Sequence, residues 1–139
     1  MAKNVTLIIT EKPAAAEKIA DALSGSTDEK ITSKDGVSYY EFFKENKKYI
    51  VSCAVGHLYG VQQKEARGPF PNFEIEWKPV YGKKSGSFTK KYLFVLKKLA
   101  KEADEFIVAT DFDVEGEVIG WNVIRFICKK KDAKRMKFS

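Results

Sequence analysis

A short apolar run that ends in a dense acidic cluster constrains this chain more than any other part of its sequence. Residues 106–109 are typical of a buried strand, and residues 118–124 are typical of a packed helix. Like charges this close repel one another, so they stay ionised only if a cation or hydrogen-bond donors stabilise them. We therefore predict the acids at the carboxyl end of a strand, where ligands bind in open α/β sheets. The cluster has four carboxylates within seven residues: Asp111, Asp113, Glu115 and Glu117.

A second strand–turn–helix pattern begins the chain. Val5–Thr10 is an apolar, β-branched run, Glu11 and Lys12 occupy the turn, and Pro13 suits the first turn of a helix. An α/β sheet would place this turn beside the acidic cluster. There, Glu11 could serve as general acid or base at a phosphodiester while Lys12 holds a phosphate oxygen. The alternative is that Glu11 is an ordinary exposed turn residue.

The spacing of the acids suits a hydrated cation. Asp111 and Asp113 are two residues apart, so on an extended strand their side chains would share a face. Glu115 could return to the same point from the first helical turn. Three oxygen ligands completed by water suit Mg²⁺. The alternative, an ordinary acid-rich helix N-terminus, is disfavoured because the helix dipole stabilises one or two acids rather than four.

The rest of the 139-residue chain predicts one domain with a mid-chain β-hairpin. Val37–Phe43 and Tyr49–Val55 are strand-like runs, and the turn between them is predicted at residues 45–48. Three further segments are assigned by composition: a polar loop at 24–36, an irregular but partly packed segment at 61–86, and the start of another strand at 136–138.

Composition excludes several classes of protein. No apolar run approaches the roughly 20 residues needed to cross a bilayer, and no signal peptide is recognisable, so we expect a soluble, cytoplasmic protein. Cys53 and Cys128 lie far apart without a C-x-x-C or histidine partner. Disulfide and zinc sites are therefore disfavoured, and two buried free thiols are expected.

The net charge of +6 is unevenly distributed. Eight lysines and no acid lie between residues 77 and 101, and seven basic residues against one acid lie between residues 125 and 139. Such segments fit a polyanion such as DNA, because each neutralised phosphate releases counterions. The alternative is a solvated lysine face.

The first basic segment contains a predicted helix with Ser87 as its N-cap. Apolar residues recur at helical spacing on one side, and Lys90, Lys97 and Lys101 fall on the other. These lysines are the predicted DNA contacts. Phe94 lies among them, where it would stack on a base, dock on a neighbouring domain or simply be exposed.

Together these motifs resemble the Toprim domain of type IA DNA topoisomerases. The resemblance rests on Glu11-Lys12-Pro13, on the D-x-D-x-E-G-E run at residues 111–117 and on Gly56-His57-Leu58, and it is closest to archaeal enzymes. It implies an α/β fold of the Rossmann-like Toprim type, with a mostly parallel central sheet, helices on both faces and the mid-chain hairpin. It also implies that residues 1–139 are the Toprim domain at the N-terminus of a larger multidomain enzyme.

The resemblance further implies a division of roles. In this family a tyrosine from another domain attacks one DNA strand to form a 5′-phosphotyrosyl bond, and the break is resealed with Mg²⁺. Glu11 would handle the proton on the 3′-oxygen, and Lys12 would steady the phosphate. Asp111, Asp113 and Glu115 would bind Mg²⁺. The partners would be a single-stranded DNA segment and the other domains of the parent enzyme, and the isolated domain would be an inactive monomer.

Other positions have supporting roles or depart from the family pattern. Glu117 would support the metal ligands, and the glycine-flanked His57 would hold a loop or contact DNA, with the structural role favoured. Val114 stands where the family often has arginine, and Ala15 stands where many bacterial members have lysine, so the phosphate role is assigned to Lys12. Two other functions stay open: a free-standing Toprim nuclease and a non-catalytic DNA-binding module.

Overall fold

A computed structural model of the chain describes residues 4–34, 36–55, 58–63, 75–79 and 89–137. In chain order its elements are β1 (Val5–Thr10), α1 (Pro13–Ser24), β2 (Glu29–Thr32), β3 (Ser38–Lys44), β4 (Lys47–Cys53), β5 (Tyr59–Gln63), β6 (Ile75–Pro79), α2 (Lys90–Glu102), β7 (Glu105–Ala109), α3 (Val114–Asn122) and β8 (Lys134–Arg135). A π-helical turn, Val123–Ile127, continues α3. None of the helices in these ranges is long and apolar enough to cross a membrane.

Strand β1 lies in the middle of the main sheet. The strand order is β2-β3-β4-β1-β7-β8, with β1 parallel to both β4 and β7, and β7 parallel to β8. Strands β2, β3 and β4 pair antiparallel. Leu7, Ile8 and Ile9 are completely buried, because β1 has neighbouring strands on both sides and packed elements on both faces. The predicted α/β fold with a mostly parallel sheet is confirmed.

Helices cover both faces of this sheet, as the sequence predicts. On β3, Tyr40 lines a cavity with Ala14 and Glu17 of α1, whereas Tyr39 lines another with Val95 and Leu99 of α2. Consecutive residues of a strand point to opposite faces. Helices α1 and α2 therefore lie on opposite sides of the sheet.

The predicted hairpin is present, but its turn is shorter than expected. Only Glu45 and Asn46 form the turn, with φ of 53° and 63°. Positive φ at both central residues is typical of a type I′ turn, whose twist matches that of the flanking strands. Lys47 and Lys48 belong to β4, where they pair with Lys44 and Phe43 of β3. The predicted turn at 45–48 was therefore two residues too long.

Several strands were missed or misplaced by the sequence prediction. Glu29–Thr32 pairs with β3 inside the segment predicted as a loop, and Tyr59–Gln63 pairs with Ile75–Pro79 in a separate two-stranded sheet, partly within the segment predicted as irregular. Up to residue 137, the last strand is Lys134–Arg135, so the strand predicted to begin at Met136 was placed too late. β2 and β8 are short edge strands with few buried side chains, so pairing with a neighbour defines them better than their own hydrophobic pattern does.

Helix α2 and the two thiols agree with the prediction. Tyr92, Val95, Leu96 and Leu99 of α2 are buried as predicted. The predicted N-cap was wrong, because α2 begins at Lys90 with Thr89 as its N-cap, and Ser87 lies outside the described residues. Cys53 and Cys128 are buried and unpaired. Burial raises the pKa of Cys53 to about 11 and that of Cys128 to about 12.

Helix α3 packs so closely on β7 that Gly120 has no room for a side chain. A Cβ on Gly120 would overlap the Val108 side chain. We expect Gly120→Ala to destabilise the fold by about 1–2 kcal/mol, because overpacking outweighs the helix propensity that alanine gains. Urea unfolding measures the change.

The Val108→Ala background provides the control for this prediction. Truncating Val108 opens the space beneath α3, so Gly120→Ala should there be neutral or stabilising. An equal loss of stability in both backgrounds would contradict the packing explanation.

Candidate active site

Open α/β sheets bind ligands in a crevice where the connections after two neighbouring strands leave in opposite directions, and in this chain those strands are β1 and β7. After β1 the chain passes through α1 toward the β2–β4 side of the sheet, and after β7 it passes through α3 to β8 on the other side. Thr10 pairs with Ala109, so β1 and β7 end at the same edge. Divergence of this kind creates the ligand-binding crevice of α/β sheets. The prediction that Glu11 and Lys12 lie beside the acidic cluster is confirmed by this strand pairing.

The acids occupy a turn and a helix start instead of an extended strand. Strand β7 ends before the first acid, so the expectation that Asp111 and Asp113 share a strand face is wrong. Asp113 is the N-cap of α3, and its Oδ1 accepts a hydrogen bond of 2.7 Å from the Gly116 amide. Glu115 and Glu117 then fall in the first helical turn, where the helix dipole stabilises negative charge.

The turn is closed too tightly for any residue but glycine at position 116. A Cβ on Gly116 would overlap the carbonyl oxygen of Asp111. That same oxygen accepts a hydrogen bond of 2.9 Å from the Asp113 amide. The buried Thr110 hydroxyl donates to the Gly116 carbonyl oxygen at 2.7 Å, which joins the end of β7 to the start of α3. Thr110 and Gly116 therefore set the shape of the turn that carries the acids.

Glu11 is half-buried at the opposite side of this crevice. Burial is the main cause that raises the pKa of its carboxyl group, and the negative charges of Asp111 and Asp113 raise it further. The Lys12 ammonium lowers the pKa but does not cancel these effects. The Oε1 atom of Glu11 is buried and has no hydrogen-bond partner among the described residues. The alternative of an ordinary exposed turn residue is therefore wrong for Glu11, while the Lys12 side chain is exposed.

The chemistry of these donors suits Mg²⁺. Within the described ranges, no three Asp, Glu, His or Cys side chains converge into a group that could hold a metal ion. Asp111, Asp113 and Glu115 are nevertheless close enough to raise the pKa of Glu11. Carboxylate oxygens are hard ligands of the kind that Mg²⁺ prefers. The donor set fits a hydrated Mg²⁺, and its assignment to Asp111, Asp113 and Glu115 stays a prediction.

Glu117 contacts an arginine that sequence reasoning missed. Arg135 Nε lies 3.2 Å from Glu117 Oε2, and its two terminal nitrogens donate to the carbonyl oxygens of Thr110 and Asp111 at 2.8 and 2.7 Å. In the sequence, Arg135 is one of seven basic residues in the last segment, and nothing distinguishes it from the surrounding lysines. Only the parallel pairing of β8 with β7 places it beside the acidic turn.

The predicted DNA-contacting lysines lie on the outer side of α2. Lys90 and Lys101 are exposed, and Lys97 is half-buried. Phe94 is 50% exposed, and the Lys90 ammonium lies 5.7 Å from the centre of its ring. The predicted arrangement of an aromatic ring among lysines is confirmed, whereas DNA binding by these residues stays a prediction. His57 lies outside the described residues.

Comparison with known proteins places the chain in a family. The profile of the Toprim domain matches residues 6–139. This chain belongs to the Toprim domain family. It is 48% identical over 135 residues to DNA topoisomerase 1 of Methanocaldococcus jannaschii, which covers 96% of this chain and 17% of that protein.

Two further relatives have related names. DNA topoisomerase 1 of Pyrococcus horikoshii is 51% identical over 136 residues, covering 96% of this chain and 20% of the relative. DNA topoisomerase 3 of Staphylococcus haemolyticus is 30% identical over 138 residues, covering 94% and 18%. All three relatives are DNA topoisomerases, a class of isomerase, and the Toprim chain spans about one-fifth of their length.

The raised pKa of Glu11 predicts a pH-dependent cost in stability. A raised native pKa means that the folded state favours the protonated form of Glu11. The contribution of that proton to the free energy of unfolding is therefore complete below the ordinary pKa of 4.5 and is lost as the pH rises through the native pKa. Glu11→Gln, which mimics the protonated acid, should therefore stabilise the metal-free fold at neutral pH. The gain should vanish at acidic pH in thermal unfolding with a chelator present.

Glu17→Gln is the matched control, because Glu17 is an exposed carboxylate on α1, the helix that follows Glu11. It should show no comparable gain at neutral pH. Equal effects of the two substitutions, or a gain for Glu11→Gln that persists at acidic pH, would contradict the electrostatic explanation.

Proposed function

We propose that this chain is the Toprim domain of a type IA DNA topoisomerase of archaeal type. It supplies the Mg²⁺-binding and acid/base half of a site that cleaves and rejoins one DNA strand by transesterification. The attacking tyrosine and the domains that enclose the DNA belong to other parts of the parent enzyme. The isolated chain is an inactive monomer, and the proposal includes a cytoplasmic location because its substrate is DNA.

One observation supports the proposal above the others. Glu11 and Lys12 follow β1, the acidic turn follows β7, and these two strands are parallel neighbours in a Toprim domain. The Glu11 carboxyl group has its pKa raised by burial and by Asp111 and Asp113, and one of its oxygens is buried without a partner. A proton-carrying acid next to a cluster of cation ligands suits chemistry at a phosphodiester.

The proposed cleavage step assigns one proton to Glu11. As the tyrosine of another domain loses its phenolic proton to water and its oxygen bonds to phosphorus, the bond from phosphorus to the 3′-oxygen breaks, and Glu11 donates its proton to that oxygen. On resealing, Glu11 takes the proton back from the 3′-hydroxyl. A raised pKa suits both directions, because burial and the neighbouring acids make the carboxyl group hold its proton more readily than a free glutamate does.

The other residues bind and orient the phosphate. Lys12 contacts a phosphate oxygen with its exposed ammonium. Asp111, Asp113 and Glu115 hold Mg²⁺, which when bound neutralises charge on the phosphate and orients it. Glu117 supports this set through its contact with Arg135.

Lys90, Lys97 and Lys101 are proposed to bind the DNA backbone. They lie on the outer side of α2, and the salt dependence of DNA binding should report their contribution. His57 is proposed to hold its loop or contact DNA.

Magnesium titration of the chain tests the metal assignment. NMR shifts at residues 110–117 should move with millimolar Mg²⁺, alone or with single-stranded DNA present to complete the coordination. Asp111→Asn should weaken the apparent affinity by at least about tenfold. Asp21→Asn, an exposed aspartate on α1, is the control and should leave it unchanged. If the NMR shifts of the wild-type chain do not move with Mg²⁺ under either condition, the metal assignment is contradicted.

Assays on plasmid DNA separate the proposal from its rivals. The chain alone should neither relax nor nick supercoiled DNA, and relaxation by it would contradict the proposed division of the site. Mg²⁺-dependent nicking that Asp111→Asn abolishes would favour a free-standing nuclease instead. DNA binding without any response to Mg²⁺ would favour a non-catalytic binding module.

A further inference from the structure

Arg135 connects the edge strand β8 to the backbone that carries the acids. Its Nη1 donates to the Thr110 carbonyl oxygen at 2.8 Å and more weakly to that of Val108 at 3.4 Å, and its Nη2 donates to the Asp111 carbonyl oxygen at 2.7 Å. Its Nε lies 3.2 Å from Glu117 Oε2. The guanidinium therefore contacts the end of β7, the acidic turn and the first turn of α3 at once.

We propose that Arg135 is a positioning residue, which fixes the acidic turn so that Asp111 and Asp113 are held in place to bind Mg²⁺. The inference rests on the proposed function, since it concerns the same metal site. Arg135 itself contacts neither DNA nor metal in this account. It acts through the backbone oxygens of Thr110 and Asp111.

The Asp111 carbonyl oxygen is held from three directions. Arg135 Nη2 and the Asp113 amide both donate to it, at 2.7 and 2.9 Å, and Gly116 packs against it too closely to admit a Cβ. Removing one of the two donors frees the peptide to rotate, and rotation moves the side chains on either side of it. That peptide joins Asp111 to Phe112, so its rotation moves the Asp111 side chain directly and displaces Asp113 through the amide that donates to the same oxygen.

The surroundings of Arg135 keep it in this conformation. Its side chain is only 17% exposed, and its guanidinium carbon lies 5.6 Å from the centre of the Phe112 ring. A guanidinium presents several donors in a fixed fork, which lets it bridge two carbonyl oxygens and a carboxylate together. A lysine ammonium has the same charge but not that geometry.

Electrostatics alone predicts the opposite sign from positioning. A positive charge beside a cation site repels the cation, so Arg135→Gln should tighten Mg²⁺ binding if Arg135 acts only as a charge. If Arg135 positions the turn, Arg135→Gln should weaken binding despite removing that repulsion. Arg135→Lys, which keeps the charge and loses the fork, should also weaken it.

The first experiment measures Mg²⁺ affinity from NMR shifts at residues 110–117 in the 139-residue chain. Both Arg135→Gln and Arg135→Lys should lower the affinity by at least about tenfold, the range found when partners that orient metal ligands are lost. Lys134→Gln is the control, because it removes the same charge from the exposed neighbour in β8 and should leave the affinity nearly unchanged. An unchanged or tighter affinity in Arg135→Gln would overturn the proposal.

The second experiment needs no metal. Amide hydrogen exchange at Asp113 and Gly116 should accelerate by at least about tenfold in both Arg135 variants, while the Ile50 amide in β4 keeps its protection. Unchanged exchange at Asp113 and Gly116 would overturn the proposal, and so would an equal loss of protection at Ile50, since Arg135 would then stabilise the whole fold. If the wild-type chain binds no Mg²⁺, the proposed function loses its metal site, and this experiment still decides whether Arg135 holds the turn.

Discussion

The parallel pairing of β1 with β7 is the interaction on which the site depends. It is fixed at the end remote from the crevice, where Val5 and Asp104 exchange two hydrogen bonds of 3.0 Å and Lys47 of β4 binds Glu105 of β7 at 2.7 Å. Because β1 and β7 are parallel neighbours, Glu11 and the acidic turn lie at one edge of the sheet although they are distant in sequence. A one-residue slip would turn every side chain of β7 to the other face. Close packing of Gly120 on Val108 opposes such a slip, because α3 fits only one register.

Gathering the acids costs stability that the surrounding structure partly offsets. Asp113 caps α3, and Glu115 and Glu117 begin it, so three of the four acids lie where the helix dipole favours negative charge. Glu11 lies half-buried on the other side of the crevice. Burial, together with the negative charges of Asp111 and Asp113, raises the pKa of its carboxyl group. The half-buried position of Glu11 therefore differs from that of Asp113, Glu115 and Glu117, which are exposed.

Local patterns predicted most of what determines the site. A β-branched run, a proline at a helix start and acids after a buried strand each indicate one strand end, and the neighbouring position of the two ends follows from α/β topology. Edge strands β2 and β8 escaped prediction because their residues are largely polar and only pairing defines them. Arg135 escaped for the same reason, since its role depends on β8 lying next to β7. The turn at Asp111 was assigned to a strand because two-residue spacing alone does not show where a strand ends.

The contacts of Arg135 also explain how the acidic cluster can lie beside a basic residue. Its guanidinium is directed at the backbone oxygens of Thr110 and Asp111 and at Glu117, the last acid of the run. Carbonyl oxygens carry only partial charge, so these contacts fix the turn while leaving the negative charge of Asp111 and Asp113 uncompensated by that group. The remaining negative potential is what a hydrated cation would neutralise. Rigidity and charge therefore come from different atoms, because Arg135 contacts the backbone of the acidic turn while Asp111, Asp113 and Glu115 lie close enough to Glu11 for their negative charges to raise its pKa.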